Sequence, residues 1–398
     1  MISLEHGKFL VGNYAPPAIE IAHGKGAKLW DSDGKEYLDF TSGIAVTNLG
    51  HGHPQWTEAV TKQVTQLVHC SNLFSIPEQV RLAKRLVEKI GPGKVLFCNS
   101  GAEANEALLK LARYVGNKGS KPNRNKVVVA ENGFHGRTLG ALSATQSPKY
   151  RNGFEPLLEP FTFAALNDFD AFSQAIDDDT IAVLIESIQG EGGIYEAEDT
   201  FLQKISALCS QKGVLLLLDE VQAGIGRTGH FLGYQKAEIT PNAVAMAKGL
   251  GGGFPIGAIW IDESYCDTFG PGSHGTTFGG SPLACSAANA VLDVLEKEDL
   301  IHAAKKQGEY FKGQLEQRHK AFPSLFIEVR GRGLMLALAC HQDPGPMIKE
   351  LRELGLLVVG AGGNAIRFLP PLTVSKEEIN HALALFDQVL SSHHISSD

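Results

Sequence analysis

The spacing of hydrophobic residues changes several times along the N-terminal part of the chain. Between residues 19 and 40, short runs of alternating polar and apolar residues flank an Asp-Gly pair at positions 33–34, a pattern typical of an antiparallel hairpin. Hydrophobic residues then recur at helical spacing over residues 54–67 and again over residues 77–90. This part of the chain therefore predicts a small sheet followed by two helices.

Uninterrupted apolar runs alternate with amphipathic segments in the middle of the chain. We interpret four runs as strands, with a helix over about 103–115 between the first two: 94–98, 127–130, 181–185 and 214–218. Apolar runs without alternation are typical of strands buried on both faces, and hence of a mainly parallel sheet covered by helices.

The pattern is helical again from about residue 282 to about 319, and shorter strands follow. These are predicted at 334–338, 356–359 and 366–369, where two prolines end the run. The prediction is an α/β fold in two parts. Residues 55–285 form a large domain, and residues 1–54 and 286–398 combine into a smaller α+β domain.

Composition narrows the class of protein. The chain has 398 residues, of which 43% are hydrophobic and 20% are charged, as in ordinary globular proteins. A formal net charge of -8 argues against nucleic acid or an anionic membrane as the main partner. No apolar run approaches the length of a membrane span, and the N-terminus does not resemble a signal peptide.

The cysteines and histidines do not predict a metal site. Six cysteines are scattered without a C-x-x-C pair, so we expect free thiols and a cytoplasmic location. His51 and His53 have no acidic or cysteine neighbours at ligand spacing. We therefore interpret them as part of a loop that turns into the helix at Pro54.

Lys248 is a single cation between a small apolar run and a cluster of glycines within residues 245–257. Because apolar neighbours penalise an ammonium, such a lysine is shifted towards its neutral, nucleophilic form, which Schiff-base chemistry requires. Lowering its pKa from ~10.4 to ~7 destabilises the charged form by roughly 4–5 kcal/mol. The alternative interpretation is a lysine at a helix C-terminus followed by a capping glycine.

Two other segments predict ligand contacts. Ser100 and Glu103 form a capping box that leaves Gly101 at an open helix N-terminus, where N–H groups and the helix dipole favour a phosphate. Phe134 and Arg137 lie among glycines after a predicted strand, so the ring can stack on a planar ligand and the arginine can hold a carboxylate. The alternatives are an ordinary capped helix and a surface arginine.

Asp219 directly follows four leucines at the end of a predicted central strand. Burying a carboxylate without a partner is costly, and a protonated ring nitrogen would be a suitable partner. The alternative is an aspartate that caps a helix.

A G-x-G-x-x-G motif at residues 224–229 suggests a different class, a nicotinamide-dependent oxidoreductase. Its context is poor, because three residues separate it from the preceding strand and residues 230–234 do not predict an opening helix. The acid expected to bind a ribose is also missing, and no P-loop motif occurs. A non-catalytic binding protein would not need Lys248, Asp219 and a phosphate site together.

Together, the motifs resemble those of the class III pyridoxal-phosphate aminotransferases over essentially the whole chain. The supporting stretches are 97–106, 134–138, 188–193, 218–222, 247–255 and 274–277. Each stretch is weak alone, but their combined order is highly specific. The resemblance implies fold type I, with a mainly parallel seven-stranded sheet in the large domain. It also implies pyridoxal 5'-phosphate as cofactor, and a homodimer whose active sites lie at the subunit interface.

The same resemblance assigns roles around the cofactor. Lys248 would form the Schiff base and then move the proton between substrate carbon and cofactor, while Asp219 would keep the pyridine nitrogen protonated. Gln222 would bond the ring hydroxyl and Phe134 would stack on the ring. Four residues would hold the phosphate: Ser100, Gly101, Ala102 and the partner subunit's Thr277.

Substrate contacts are implied in the same way. Arg137 and Arg367 would clamp substrate carboxylates, and Thr276 would be a further substrate contact. In related ω-aminotransferases, a glutamate at the position of Glu191 pairs with the arginine that matches Arg367. That pair masks the positive charge while an amine end is bound, and releases it for the α-carboxylate of 2-oxoglutarate.

Within the family, the likeness extends to enzymes that move the δ-amino group of N2-acetylornithine to 2-oxoglutarate, giving N-acetylglutamate 5-semialdehyde and glutamate in arginine biosynthesis. Close relatives act on succinylornithine, N-succinyl-diaminopimelate, ornithine or 4-aminobutyrate, and the fold also supports decarboxylases and aminomutases. One departure is Ser187, which follows Glu186 where family members commonly have proline. We expect a local backbone change there.

Overall fold

The structure is a computed structural model that describes residues 7–118 and 124–395. In chain order the strands are β1 (Ile21–Lys25), β2 (Lys28–Asp31), β3 (Glu36–Asp39), β4 (Gly93–Cys98), β5 (Lys126–Ala130), β6 (Phe161–Ala164), β7 (Thr180–Glu186), β8 (Ile188–Gln189), β9 (Tyr195–Glu196), β10 (Leu215–Asp219), β11 (Ala243–Met246), β12 (Gly257–Asp262), β13 (Phe326–Arg332), β14 (Met335–Cys340), β15 (Leu356–Leu357), β16 (Val359–Ala361) and β17 (Ala365–Phe368).

Helices connect most of these strands. They are α1 (Pro54–Val64), α2 (Pro77–Ile90), α3 (Gly101–Lys118), α4 (Leu139–Ser143), α5 (Pro148–Arg151), α6 (Phe169–Ala175), α7 (Asp199–Lys212), α8 (Pro282–Lys297), α9 (Leu300–Ala321), α10 (Gly345–Glu353) and α11 (Lys376–Ile395). Short helical turns also occur at Ser42–Ala45, Gly233–Ala237 and Lys248–Leu250. In the part of the chain covered by the structure, no helix combines the length and the apolar character needed to cross a membrane.

The central sheet has seven strands in the order β4-β12-β11-β10-β7-β5-β6. All neighbouring pairs from β11 to β6 are parallel, whereas β12 runs antiparallel to both β11 and β4. A mainly parallel seven-stranded sheet covered by helices is the predicted α/β class, and this prediction is confirmed. Because β4, β5, β7, β10 and β11 point the same way, their carboxyl ends share one edge of the sheet, where open α/β sheets bind ligands.

The apolar strands are buried on both faces, as their sequence predicts. In β10, Leu216 and Leu218 join one hydrophobic cluster, while Leu215 and Leu217 join a second cluster on the opposite face that includes residues of α3. Successive strand residues point to opposite faces, so a strand covered on both sides needs apolar residues at every position. Each fully buried leucine contributes about 1.5–3 kcal/mol to stability.

Two smaller sheets join distant parts of the chain. The first has the order β1-β2-β3-β15, so a C-terminal strand pairs with the N-terminal hairpin. The second has the order β13-β14-β17-β16. The division into a large and a small domain stays a prediction.

One predicted element is wrong in detail. The strand predicted at 356–359 is divided, because β15 pairs with β3 whereas β16 pairs with β17 in a different sheet. The helical pattern predicted from about 282 to about 319 is confirmed, and it consists of α8 and α9, which are separated where the backbone at Asp299 adopts φ 48°.

Candidate active site

A cavity of about 400 Å³ opens at the carboxyl ends of the central strands. Nine of the predicted site residues line it: Ser100, Gly101, Ala102, Phe134, Arg137, Glu191, Asp219, Gln222 and Lys248. The cavity also exposes residues that sequence reasoning did not assign to the site, among them Asn99, Asn105, His135 and Glu186. In the described residues, no group of three histidines, cysteines or carboxylates is placed to hold a metal ion.

Lys248 lies two residues after β11 and begins a short 3₁₀ turn, so the interpretation as a helix C-terminal lysine is wrong. Its backbone is left-handed, with φ 43°, a conformation that costs energy for a residue with a side chain. Burial lowers the pKa of the Lys248 amine below its ordinary value. Nearby carboxylates, Glu191 first, oppose the shift, and the Arg367 charge adds to it. The lysine is therefore shifted towards the neutral form that a nucleophilic amine needs.

Asp219 ends β10 and has a defined set of hydrogen-bond donors. Its Oδ2 accepts from Asn105 Nδ2 at 2.7 Å and lies 2.8 Å from His135 Nδ1. Its Oδ1 accepts from the backbone N–H of Val221 at 2.9 Å. These contacts fix the carboxylate at the cavity wall, and Oδ1 retains lone-pair capacity for a cationic ligand.

His135 and Glu186 are two buried titratable residues whose charges interact, and the sequence did not reveal them. Burial alone would lower the pKa of His135, but the hydrogen bond and charge of Asp219 and the charge of Glu186 raise it above its ordinary value. Burial, and secondarily the Asp219 charge, raises the pKa of Glu186 despite its proximity to His135. The Glu186 carboxyl group accepts the N–H groups of Phe134 at 2.9 Å and Gly190 at 3.1 Å.

The N-terminus of α3 provides a site suited to an anion. Ser100 Oγ accepts the N–H of Glu103 at 3.1 Å, which is half of the predicted capping box, but the Glu103 carboxylate accepts the N–H of Asn99 and not that of Ser100. A Cβ on Gly101 would lie 2.6 Å from Cγ1 of Val221, two residues after the end of β10, so a side chain at this position would force Val221 to move. At Gly101 and Ala102 the helix geometry leaves N–H groups without an intrahelical acceptor, and these can bind a phosphate.

Arg367 lies behind the cavity on β17, with 1% of its surface exposed. Its Nη1 donates to Glu191 Oε1 at 2.7 Å, to Gln222 Oε1 at 3.0 Å and to the Gly190 carbonyl oxygen at 3.0 Å. Burial would raise the pKa of Glu191, but the charge and hydrogen bond of Arg367 lower it. The Nε of Arg367 is buried without a hydrogen-bond partner in the described residues, so the guanidinium keeps donor capacity.

Arg137 is exposed at the cavity wall, and no carboxylate of the described residues lies within ion-pair distance of it. Its guanidinium carbon is 4.1 Å from the centroid of the Tyr150 ring and 5.7 Å from that of Phe134. Aromatic faces attract an arginine without using its N–H donors. The donors therefore stay available, and one edge of the guanidinium can bind an incoming carboxylate with two of them.

Thr276 and Thr277 do not line this cavity. Thr276 Oγ1 accepts a hydrogen bond from Nδ2 of Asn99 at 3.0 Å, and Asn99 directly precedes the residues of the anion site. The side chain of Thr277 is exposed. Their roles require a second copy of the chain, so these roles stay predictions.

The sheet, the buried lysine and the anion site together define an α/β transferase with a carbonyl-cofactor site. Residues 11–390 match the aminotransferase class-III family, and the chain belongs to that family. The match excludes the nicotinamide-dependent alternative, and the 224–229 motif is indeed followed by a 3₁₀ turn instead of an opening helix.

Relatives and solved structures agree with this family. The chain is 47% identical to the acetylornithine aminotransferase of Aquifex aeolicus over 96% of this chain and 100% of the relative. It is 45% identical to that of Caldanaerobacter subterraneus over 98% and 99% of the two chains. The ornithine aminotransferase of Toxoplasma gondii, whose structure shows partial occupancy of PLP at the active site, has a TM-score of 0.95. It is 33% identical over 99% of this chain and 95% of that chain. The fold is therefore fold type I, as predicted.

Proposed function

We propose that this chain is a pyridoxal 5'-phosphate-dependent aminotransferase that moves the δ-amino group of N2-acetylornithine to 2-oxoglutarate. The products are N-acetylglutamate 5-semialdehyde and glutamate, as in arginine biosynthesis. The observation that carries the reaction type is the placement of three groups around one cavity: a lysine with a lowered pKa, a fixed aspartate and a free helix N-terminus. The names of the full-length relatives support the substrate.

The residues present fit this cofactor. The N–H groups at Gly101 and Ala102 and the Ser100 hydroxyl would hold the phosphate, because a helix N-terminus favours an anion. Asp219 would pair with the ring nitrogen, since Asn105 and His135 already fix its other oxygen. Phe134 would stack on the ring and Gln222 would bond its hydroxyl. When bound, pyridoxal 5'-phosphate supplies an aldehyde carbon and a ring that accepts electrons.

The chain's own groups then bind substrate and move protons. The Lys248 amine, whose pKa burial lowers, would hold the cofactor aldehyde and carry a proton at Nζ during turnover. Arg137 and Arg367 bind carboxylates, and Glu191 covers the Arg367 charge while the amine end of the donor is in place. Covering the charge lets one site serve two substrates of different charge.

The proposal extends to assembly and location. Thr277 of the partner subunit would complete the phosphate site and Thr276 would contact substrate, which requires a homodimer with shared active sites. We also propose a cytoplasmic location. The six cysteines, which form no disulfides, support this because free thiols persist in reducing compartments.

A panel of amine donors tests the proposal, with 2-oxoglutarate as acceptor and glutamate as the measured product. The donors are N2-acetylornithine, N2-succinylornithine, N-succinyl-diaminopimelate, ornithine and 4-aminobutyrate. The proposal predicts the highest kcat/KM for N2-acetylornithine. A clear preference for ornithine or 4-aminobutyrate would overturn the substrate, and no glutamate with any donor would overturn the reaction.

A further inference from the structure

Among the described residues, Arg137 contacts two aromatic rings at the cavity wall and has no ion-pair partner. Its guanidinium carbon lies 4.1 Å from the Tyr150 ring centroid, and the Tyr150 and Phe134 rings meet edge to face with centroids 5.4 Å apart. The two rings thus form a corner in which the guanidinium sits. The Tyr150 ring is the closer of the two, because its centroid lies 4.1 Å from the guanidinium carbon and that of Phe134 lies 5.7 Å from it.

Tyr150 lies on the short helix α5. The part of its side chain that contacts the arginine is the face of the aromatic ring. Its hydroxyl group makes no hydrogen bond to the described residues, and its side chain is half-buried. Tyr150 does not line the first cavity but lines a second one of about 520 Å³, which shares Phe134 and Glu191 with the first. Tyr150 therefore lies beside the first cavity, in contact with two residues that line it, Phe134 and Arg137, and it belongs to none of the hydrophobic core clusters.

We propose that Tyr150 is a positioning residue that sets the specificity for substrates with a carboxylate remote from the reacting amine. An arginine side chain loses considerable rotational freedom when it binds a ligand, and a side chain already held in place loses less. Stacking on Tyr150 holds Arg137 ready without occupying its N–H donors. The inference rests on the proposed function, in which Arg137 binds a substrate carboxylate.

Two substitutions distinguish the contribution of the aromatic ring from that of the hydroxyl group. Tyr150→Phe keeps the face, so we expect the KM for N2-acetylornithine to stay within about twofold of wild type. Tyr150→Leu removes the face, so we expect that KM to rise about fivefold with a smaller change in kcat. Glutarate is a dicarboxylate without an amine. Its Kd for the cofactor-loaded Tyr150→Leu enzyme, measured by calorimetric titration, should rise by about the same factor.

Phe163→Leu is the matched control. Phe163 also stacks on an arginine, with 5.5 Å between its ring centroid and the guanidinium carbon of Arg151, but it does not line either cavity. This variant should leave the KM for N2-acetylornithine and the Kd of glutarate unchanged. Equal effects of Phe163→Leu and Tyr150→Leu would contradict the proposal.

A double-mutant cycle shows whether Tyr150 acts through Arg137. In an Arg137→Met background, Tyr150→Leu should change neither value further, and with 1-aminobutane, a donor without a carboxylate, it should have no effect in either background. Additive effects, or a loss with 1-aminobutane equal to that with N2-acetylornithine, would overturn the role of Tyr150. If wild type does not use N2-acetylornithine, the proposed substrate fails instead, and glutarate binding still tests Tyr150.

Discussion

The ion pair between Glu191 and Arg367 makes the sharpest prediction about substrate choice. Its atoms Oε1 and Nη1 are 2.7 Å apart, and the arginine is almost fully buried. Glu191→Gln removes the negative charge but keeps the size of the side chain. Arg367 then retains only neutral acceptors, Gln222 Oε1 and the Gly190 carbonyl oxygen, each at 3.0 Å. The unmasked charge should disfavour an amine end and favour the α-carboxylate of glutamate.

The size of the effect follows from the negative charge that is lost from this pair. A hydrogen bond to a charged group contributes about 1.5–3 kcal/mol, and ~1.4 kcal/mol corresponds to a factor of ten. The ratio of kcat/KM for N2-acetylornithine to kcat/KM for glutamate should therefore fall about ten- to 100-fold. A fall in this range is large enough to separate from ordinary losses of packing.

Single-turnover half-reactions with each amino donor, followed by the absorbance of the cofactor, measure this ratio. Glu328→Gln is the matched control, because Glu328 Oε1 lies 2.7 Å from Arg330 Nε but is 51% exposed at the side chain, away from the cavity. That variant should leave the ratio unchanged. Glu191→Gln kinetics identical to wild type with both donors would refute the masking role.

Two further predictions concern stability. Burial raises the pKa of Glu220 from 4.5 to about 7, so the folded chain keeps a proton that the unfolded chain has already released. The stabilisation is full below the unfolded pKa and is lost as pH rises through 7. From pH 4.5 to 7 the free energy of unfolding should fall by up to about 3 kcal/mol more in wild type than in Glu220→Gln. At Gly136, where φ is 139°, a Cβ would lie 2.8 Å from Ala102 Cβ. Gly136→Ala should cost about 1–3 kcal/mol and weaken cofactor binding.

The free energy of unfolding, measured in urea, checks both stability predictions, and each has a control variant. The exposed Glu58→Gln should reproduce the wild-type pH profile, and a Glu220→Gln profile parallel to wild type would contradict the buried protonated state. Gly313→Ala is the control for Gly136→Ala, because nothing lies within 4 Å of a Cβ there and its helix should be slightly stabilised. Equal cofactor Kd values for Gly136→Ala and wild type would show that the turn tolerates a side chain.

The sequence predicted the parts of the fold that depend on local pattern. The strands at 127–130, 181–185 and 214–218 were predictable because burial on both faces requires uninterrupted apolar residues. Strands β11 and β12 were missed, since the Ala-Val-Ala-Met run of β11 is short and leads into glycines. The insertion of antiparallel β12 between β11 and β4 depends on pairing between distant segments, which no local pattern encodes.

The same distinction holds in the site. Lys248 and Asp219 were recognisable because each is a charged residue at the end of an apolar run. The hydrogen-bond partners of Asp219 were not recognisable, because Asn105 is 114 positions away from it in the sequence and His135 is 84 positions away. The available signal was Asn105 itself, a polar residue on the apolar face of α3. Tyr150 gave no signal, since its contact with Arg137 depends on how α5 folds back.

Reduction of the cofactor-loaded protein with borohydride, followed by mass mapping of its peptides, tests the central claim most directly. The account predicts a single pyridoxyl adduct, on the peptide that contains Lys248, and its absence in Lys248→Ala. Protein that shows no cofactor absorbance and no adduct after reconstitution, or an adduct on an exposed lysine with Lys248 unmodified, would contradict the assignment of this cavity as the active site.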